Sequence, residues 1–127
     1  MNFDQTSEFA KELKRFSKKW RSIYSDLELL QQALRTLYLG SNGIAADHIR
    51  ESFFATKKGA VLRVLPGGCE VVKVRMDSVD INKDMLRVVY IRDAKSILLV
   101  ELYAKNDKSR EDLTRTQKYL KLIKPHS

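Results

Sequence analysis

Lys73 and Arg75 stand two residues apart in the stretch VVKVRM, Arg87 lies in LRVVYIRD, and Lys105 follows the apolar run ILLVELYA. Residues two apart on an extended strand project to the same face. A β reading of these stretches therefore puts Lys73 and Arg75 side by side, with Arg87 on the next strand and Lys105 at the end of the one after. Several cations converging on one sheet face would bind a phosphodiester backbone, and would stabilise the extra negative charge that develops when such a backbone is cleaved. In RNA the 2′-hydroxyl is itself a nucleophile, so the protein need supply only positioning, charge and a proton acceptor. The competing interpretation is that lysines and arginines on edge strands guard against aggregation. Spacing alone does not choose between them.

The charge balance bears on that choice. Lys and Arg number 24 against 16 Asp and Glu, a net charge of +8 with a pI near 9.7. Residues 53–127, which hold the strand-like segments, carry +7 of that excess. A basic excess raises the local concentration of polyanions and speeds encounter with them, which points to nucleic acid or a nucleic-acid machine, with solubility alone as the bland alternative. The chain has 127 residues, which suits one domain spanning 1–127. With 43% hydrophobic and 31% charged residues it has the composition of a globular protein, not a disordered one. No apolar run is long enough to cross a membrane, and MNFDQTSEF lacks a charged-then-apolar signal layout. A cytoplasmic protein that meets no membrane is the expectation.

Many reaction classes drop out. The single cysteine, Cys69, excludes an intramolecular disulfide framework and a cysteine-rich metal site. No phosphate-binding GxxxxGK[ST] loop, GxGxxG turn, HExxH helix or GxSxG elbow is present, and His48 and His126 are far apart. Neither a metal nor a small-molecule cofactor is expected.

The elements that must position the cations follow from periodicity. Residues 1–6 suggest a short strand leading to Ser7 as a helix cap, with Glu8 favourable in the first turn. Phe9, Leu13, Phe16 and Trp20 form one apolar stripe opposite Lys11, Lys14, Arg15, Lys18 and Arg21. Ser25-Asp26-Leu27-Glu28 fits a capping box opening a second helix, which runs through Leu27, Leu30, Leu34 and Leu37 to Leu39 and stops at Gly40. A helical hairpin is expected across 7–39, with a loop or short helical turn across 44–58. Ala60 to Leu65, Glu70 to Met76, Leu86 to Ile91 and Ile97 to Tyr103 read as strands of an antiparallel meander. Ser109, with Asp112 three residues on, predicts a cap for a closing helix that turns Leu113, Leu120 and Ile123 inward. The expected fold is α+β: an N-terminal helical hairpin on one face of a small antiparallel sheet, a C-terminal helix, and the other sheet face open to solvent.

LRVVYIRD and ILLVELYAKNDKSREDLT, with VVKVRM and TSEFAKELKRFSKKW upstream, resemble the RelE/HigB superfamily of toxins from bacterial type II toxin–antitoxin modules. The resemblance covers the two ends and the strand region, and is least specific across 40–65. It implies a RelE-like fold and a ribosome-dependent mRNA interferase, which cuts mRNA in the ribosomal A site with the RNA 2′-hydroxyl as nucleophile and is neutralised by a cognate antitoxin. It implies working residues at Lys73, Arg75, Arg87 and Lys105: Arg87 as transition-state stabiliser, and Lys73 or Arg75 as proton acceptor or phosphate contact. Lys57, Lys58 and Lys108 are further candidate RNA contacts. Several relatives carry a Tyr or His near the C-terminus that stacks on a base or donates a proton. Tyr119 and His126 are the candidates here, and neither matches that position firmly. A second branch of the superfamily, resembling ParE, inhibits DNA gyrase without nuclease activity, and the want of a firm acid–base pair keeps that alternative open.

Overall fold

The structure, a computed structural model, describes residues 1–40, 46–56, 58–77 and 86–122. It is α+β, with helices α1 (Ser7–Ser17), α2 (Ile23–Leu39), α3 (Ala46–Ala55) and α4 (Leu113–Leu122) around five strands. These are β1 (Asn2–Gln5), β2 (Gly59–Leu65), β3 (Cys69–Met76), β4 (Leu86–Arg92) and β5 (Ser96–Ala104), in the spatial order β1-β5-β4-β3-β2. Among the described residues no helix is long and apolar enough to cross a membrane.

The four predicted strands lie within a residue of their expected bounds, and β2 to β5 form the antiparallel meander. The sheet as a whole is mixed, because β1 pairs parallel to β5 with Phe3 opposite Ile97. The N-terminal half is not a plain helical hairpin either. The short strand expected in residues 1–6 forms as β1, and the region 44–58 contributes the ten-residue helix α3 between α2 and β2. Gly59 makes room for that helix, since a Cβ there would come within 2.6 Å of the Phe53 ring.

Local capping differs from the expected pattern at three helix starts. Thr6, not Ser7, caps α1, its Oγ1 accepting from the Phe9 amide at 3.0 Å. The second helix begins at Ile23, before the expected capping box, so Ser25 lies inside it and Asp26 is a buried acceptor for the Ser22 hydroxyl at 2.8 Å. Gly40, at φ 84°, ends this helix as expected. Asp112, not Ser109, caps α4 by accepting from the Arg115 amide at 3.0 Å. Asp112→Ala is therefore expected to cost about 1 kcal/mol, while Ser109→Ala leaves stability within about 0.5 kcal/mol of the parent. Urea titrations of the two variants check this.

Helices pack on both faces of the sheet, and this is the main departure from expectation. One face packs Val72, Val74, Met76, Val88, Tyr90, Leu99 and Leu102 against Phe9, Leu13 and Phe16 of α1 and Leu27, Leu34 and Leu37 of α2. Trp20 is partly buried beyond the end of α1, stacked on Phe16 with ring centroids 5.3 Å apart. The opposite face has its own smaller core of Val71, Val89, Ile91, Val100 and Tyr103, onto which α4 lays Tyr119 and Leu120. Leu113, expected inward, is 52% exposed, and Ile123 lies outside the described residues. A central strand buried on both faces reads as a continuous apolar run, and LRVVYIR is that run for β4.

α4 is tied down at the β5 edge. β1 ends at Gln5, so β5 continues beyond its partner and its backbone groups need other acceptors and donors. Glu12 of α1 accepts from the Leu102 amide at 3.1 Å, and the Val100 carbonyl accepts from Thr6 Oγ1 and Arg115 Nη1 at 3.3 and 3.2 Å. Arg115 closes the clamp with a two-pronged ion pair to Glu12 at 2.7 and 3.0 Å and a contact to Glu8 at 3.2 Å.

Candidate functional site

Because α4 covers only part of its face, the rest of that face is left as a cleft of about 230 Å³. Strand alternation sends Lys73 and Arg75 of β3, Arg87 of β4 and Tyr103 of β5 to this side, and Lys105 follows in the same phase. Lys58, Gly59, Ala60, Val74 and Ser109 complete the lining. The four strand-associated cations singled out from spacing therefore meet at one place, joined by Lys58, the residue before β2. Lys57 and His126 lie outside the described residues.

Register sets the spacing within the cleft. Arg75, Arg87 and Tyr103 are directly opposite one another on three adjacent strands. Two arginines in direct register are electrostatically unfavourable, the more so because Arg87 is only 7% exposed. Its Nη1 donates to the Leu86 carbonyl at 3.2 Å, which fixes the guanidinium against its own strand. The cleft's volume falls below the roughly 300–1,000 Å³ of ordinary small-molecule pockets. Its cationic lining suits a segment of an anionic backbone better than an apolar ligand.

A β-bulge shapes the acidic side of the site. The register of β5 against β4 slips by one residue between Val89 and Tyr90, so Val100 and Glu101 both turn towards the α4 face. Glu101, fully buried, accepts from the Asp112 amide at 2.7 Å and forms an ion pair with Lys108. It thereby anchors the connector from β5 to α4. That connector carries Glu111 to Lys73, with Oε2 3.0 Å from Nζ and 3.5 Å from the Tyr103 hydroxyl. Burial works against charge on Glu111, but its own backbone amide and the Lys73 ammonium outweigh it and hold the carboxyl below the usual range. Tyr103 is pushed the other way, to about 12, by burial first and then by the charges of Glu111 and Glu101. The phenol therefore keeps its proton and acts as a donor.

These contacts sort the remaining candidates. Lys73 is ion-paired with the Glu111 carboxylate, an arrangement that suits a charge contact and not a proton acceptor. Lys108 reaches Tyr103, its Nζ 5.3 Å from the ring centre, but its charge faces Glu101 and it does not line the cleft. Tyr119 is not brought to the cleft. It packs on the second core and donates its hydroxyl hydrogen bond to Glu8. His48 sits on α3, in a separate groove between that helix and β2. Among the described residues no group of three or more His, Cys, Asp or Glu is placed to hold a metal ion.

Sequence reasoning missed Tyr103, Glu101 and Glu111. Glu101 had a signal, a lone carboxylate inside an otherwise apolar strand. Tyr103 had one too, standing two residues before Lys105 in strand phase. Glu111 had none, because its neighbour Lys73 is 38 residues away. Comparison of the chain with protein-family models, with curated proteins and with solved structures gives no significant match, so the site's chemistry rests on its own residues.

Proposed function

We propose that the protein is a RelE/HigB-like toxin, a ribosome-dependent mRNA interferase restrained by a cognate antitoxin. The observation that carries this reading is the meeting of Lys58, Lys73, Arg75, Arg87 and Lys105 with a protonated tyrosine in one cleft. The sequence resemblance in VVKVRM, LRVVYIRD and ILLVELYAKND supplies the class of target.

In this reading the RNA backbone lies across the cleft with the scissile phosphate against Arg87. The 2′-hydroxyl loses its proton to water and attacks the adjacent phosphorus, the bond to the 5′-oxygen of the next nucleotide breaks, and that oxygen leaves with a proton from water, giving a 2′,3′-cyclic phosphate. Negative charge grows on the non-bridging oxygens as the bond forms. Fixed cations in a partly dry site stabilise that charge without having to reorganise. Arg87, the most buried of the five, meets this growing charge, while Lys73 and Arg75 hold the phosphate. Lys58 and Lys105, both exposed, contact flanking phosphates and contribute affinity that weakens with salt. The Tyr103 hydroxyl serves as a hydrogen-bond donor to a phosphoryl oxygen.

Expression in bacterial cells tests the assignment. Growth arrest accompanied by new mRNA 5′ ends within translated codons is the expected result. Arrest with intact mRNA and DNA breaks would replace it with the gyrase-directed reading, and normal growth would overturn both.

A further inference from the structure

We propose that Lys73 and Tyr103 form an oxyanion position within the cleft, and that the protein's own Glu111 carboxylate occupies it until a phosphoryl group displaces it. The inference rests on the reading of the cleft as a phosphodiester site and identifies the internal competitor that the ligand must expel.

The geometry is that of a filled anion site. One oxygen, Oε2 of Glu111, accepts from an ammonium at 3.0 Å and lies 3.5 Å from a phenol. An ammonium and a neutral hydroxyl aimed at one charged oxygen are the donors that a phosphoryl oxygen takes, because charge-assisted hydrogen bonds to it are the strong ones. Tyr103 keeps its proton, and Glu111 keeps its charge, so the position is held by donors on one side and an anion on the other. Both donors stand on strands, in register with the Arg75–Arg87 row or next to it. Glu111 alone comes from a connector.

That connector does not depend on Glu111 for its course. The Ala104 carbonyl accepts from the Asp107 and Lys108 amides at 3.0 and 3.2 Å. Glu101 holds Lys108 by an ion pair and the Asp112 amide at 2.7 Å. The backbone on either side of Glu111 is thus held by these anchors, and in this proposal its side chain, 7% exposed, rotates out of the position when a phosphoryl group takes its place. Lys73 retains 29% side-chain exposure, which gives an incoming anion a route to the ammonium. The consequence is a site with muted attraction for stray anions, opened by a ligand whose other phosphates are gripped by Lys58, Arg75 and Lys105.

The test measures binding, not cleavage. Glu111→Gln and Glu111→Ala are compared with the parent for affinity towards a short oligonucleotide whose 2′-hydroxyls are replaced by hydrogen, so that it cannot be cut. Thermal melts verify the fold of each variant. Removing one like charge at hydrogen-bond distance from a partly solvated site is expected to tighten binding roughly tenfold. Glu51→Gln, on the exposed face of α3, changes the net charge equally and is expected to bind as the parent does. Adding Tyr103→Phe to Glu111→Gln is expected to reverse part of the gain. Unchanged or weaker binding by folded Glu111 variants, or equal tightening by Glu51→Gln, overturns the proposal. If binding tightens as expected but mRNA in expressing cells stays intact, the oxyanion site stands and the interferase reading fails.

Discussion

For the proposed interferase, Arg87→Ala is expected to slow mRNA cleavage by about 10²- to 10³-fold, the loss typical of removing one donor aimed at charge that develops in a transition state. Three features put the largest effect here. Arg87 is 7% exposed, whereas Arg75 and Lys105 are open to water, so its charge acts through a lower effective dielectric. It sits in the middle of the sheet, between Arg75 and Tyr103 in register, on a strand packed from both faces. Its guanidinium is pinned to the Leu86 carbonyl, so little reorganisation is needed at the moment of reaction. Arg87→Lys keeps the charge but not the planar fork, and is expected to recover only part of the rate. Lys105→Ala is expected to act instead through affinity, with a loss of at most about tenfold that shrinks as salt rises. Single-turnover cleavage of mRNA on programmed ribosomes, with melts as a fold control, checks all three. A folded Arg87→Ala protein that cleaves at the parental rate removes Arg87 from the chemistry.

Arg115→Met is expected to destabilise the fold by about 2–4 kcal/mol. That is somewhat below the value for breaking a fully buried ion pair, because Arg115 and Glu12 keep 14% and 12% side-chain exposure. The change takes both guanidinium contacts from Glu12 and deprives the Val100 carbonyl of a donor. It also loosens α4 from α1, leaving Lys118 and Tyr119 on Glu8 to hold the C-terminal helix to the N-terminal half. A fall of roughly 10 °C in the thermal midpoint follows for a domain of this size. Stability at this clamp should depend on pH. Hydrogen bonds from Lys118 and Tyr119 hold the Glu8 carboxyl below its ordinary value, with the Lys118 and Arg115 charges helping. A depressed carboxyl contributes stability above its unfolded-state pKa and loses it as pH falls through the folded one. Lys118 and Tyr119, which the substitution leaves in place, are the main causes of that depression, so parent and variant are both expected to lose this contribution as pH falls through the carboxylate range. Melts across that range check it, and a variant as stable as the parent at neutral pH would show that the clamp carries no weight.

What the sequence by itself determined is whatever depends on neighbours a few residues away. Alternation and turn breakers placed β2 to β5 to within a residue, the leucine spacing and Gly40 placed the end of α2, and the same alternation put Lys73, Arg75, Arg87 and Lys105 in phase. The caps were missed for a related reason: Thr6 beside Ser7, and Asp112 after Ser109, are all acceptable cap residues, and only the path of the entering chain selects one. The tertiary structure alone decided everything carried by distant contacts. Phe3 pairs with Ile97, which makes the sheet mixed. α4 crosses to the second face because Tyr119 and Leu120 find Val71 and Ile91 there and Arg115 finds Glu12, so the expected open face became a half-covered one with a cleft. The bulge that turns Glu101 inward shows only against the register of β4. Glu111 reaches Lys73 only because that inward Glu101 anchors the connector between β5 and α4. Periodicity could assemble the cations, but the anion that holds them in check is set by packing, where side chains far apart in sequence compete for the same few ångströms.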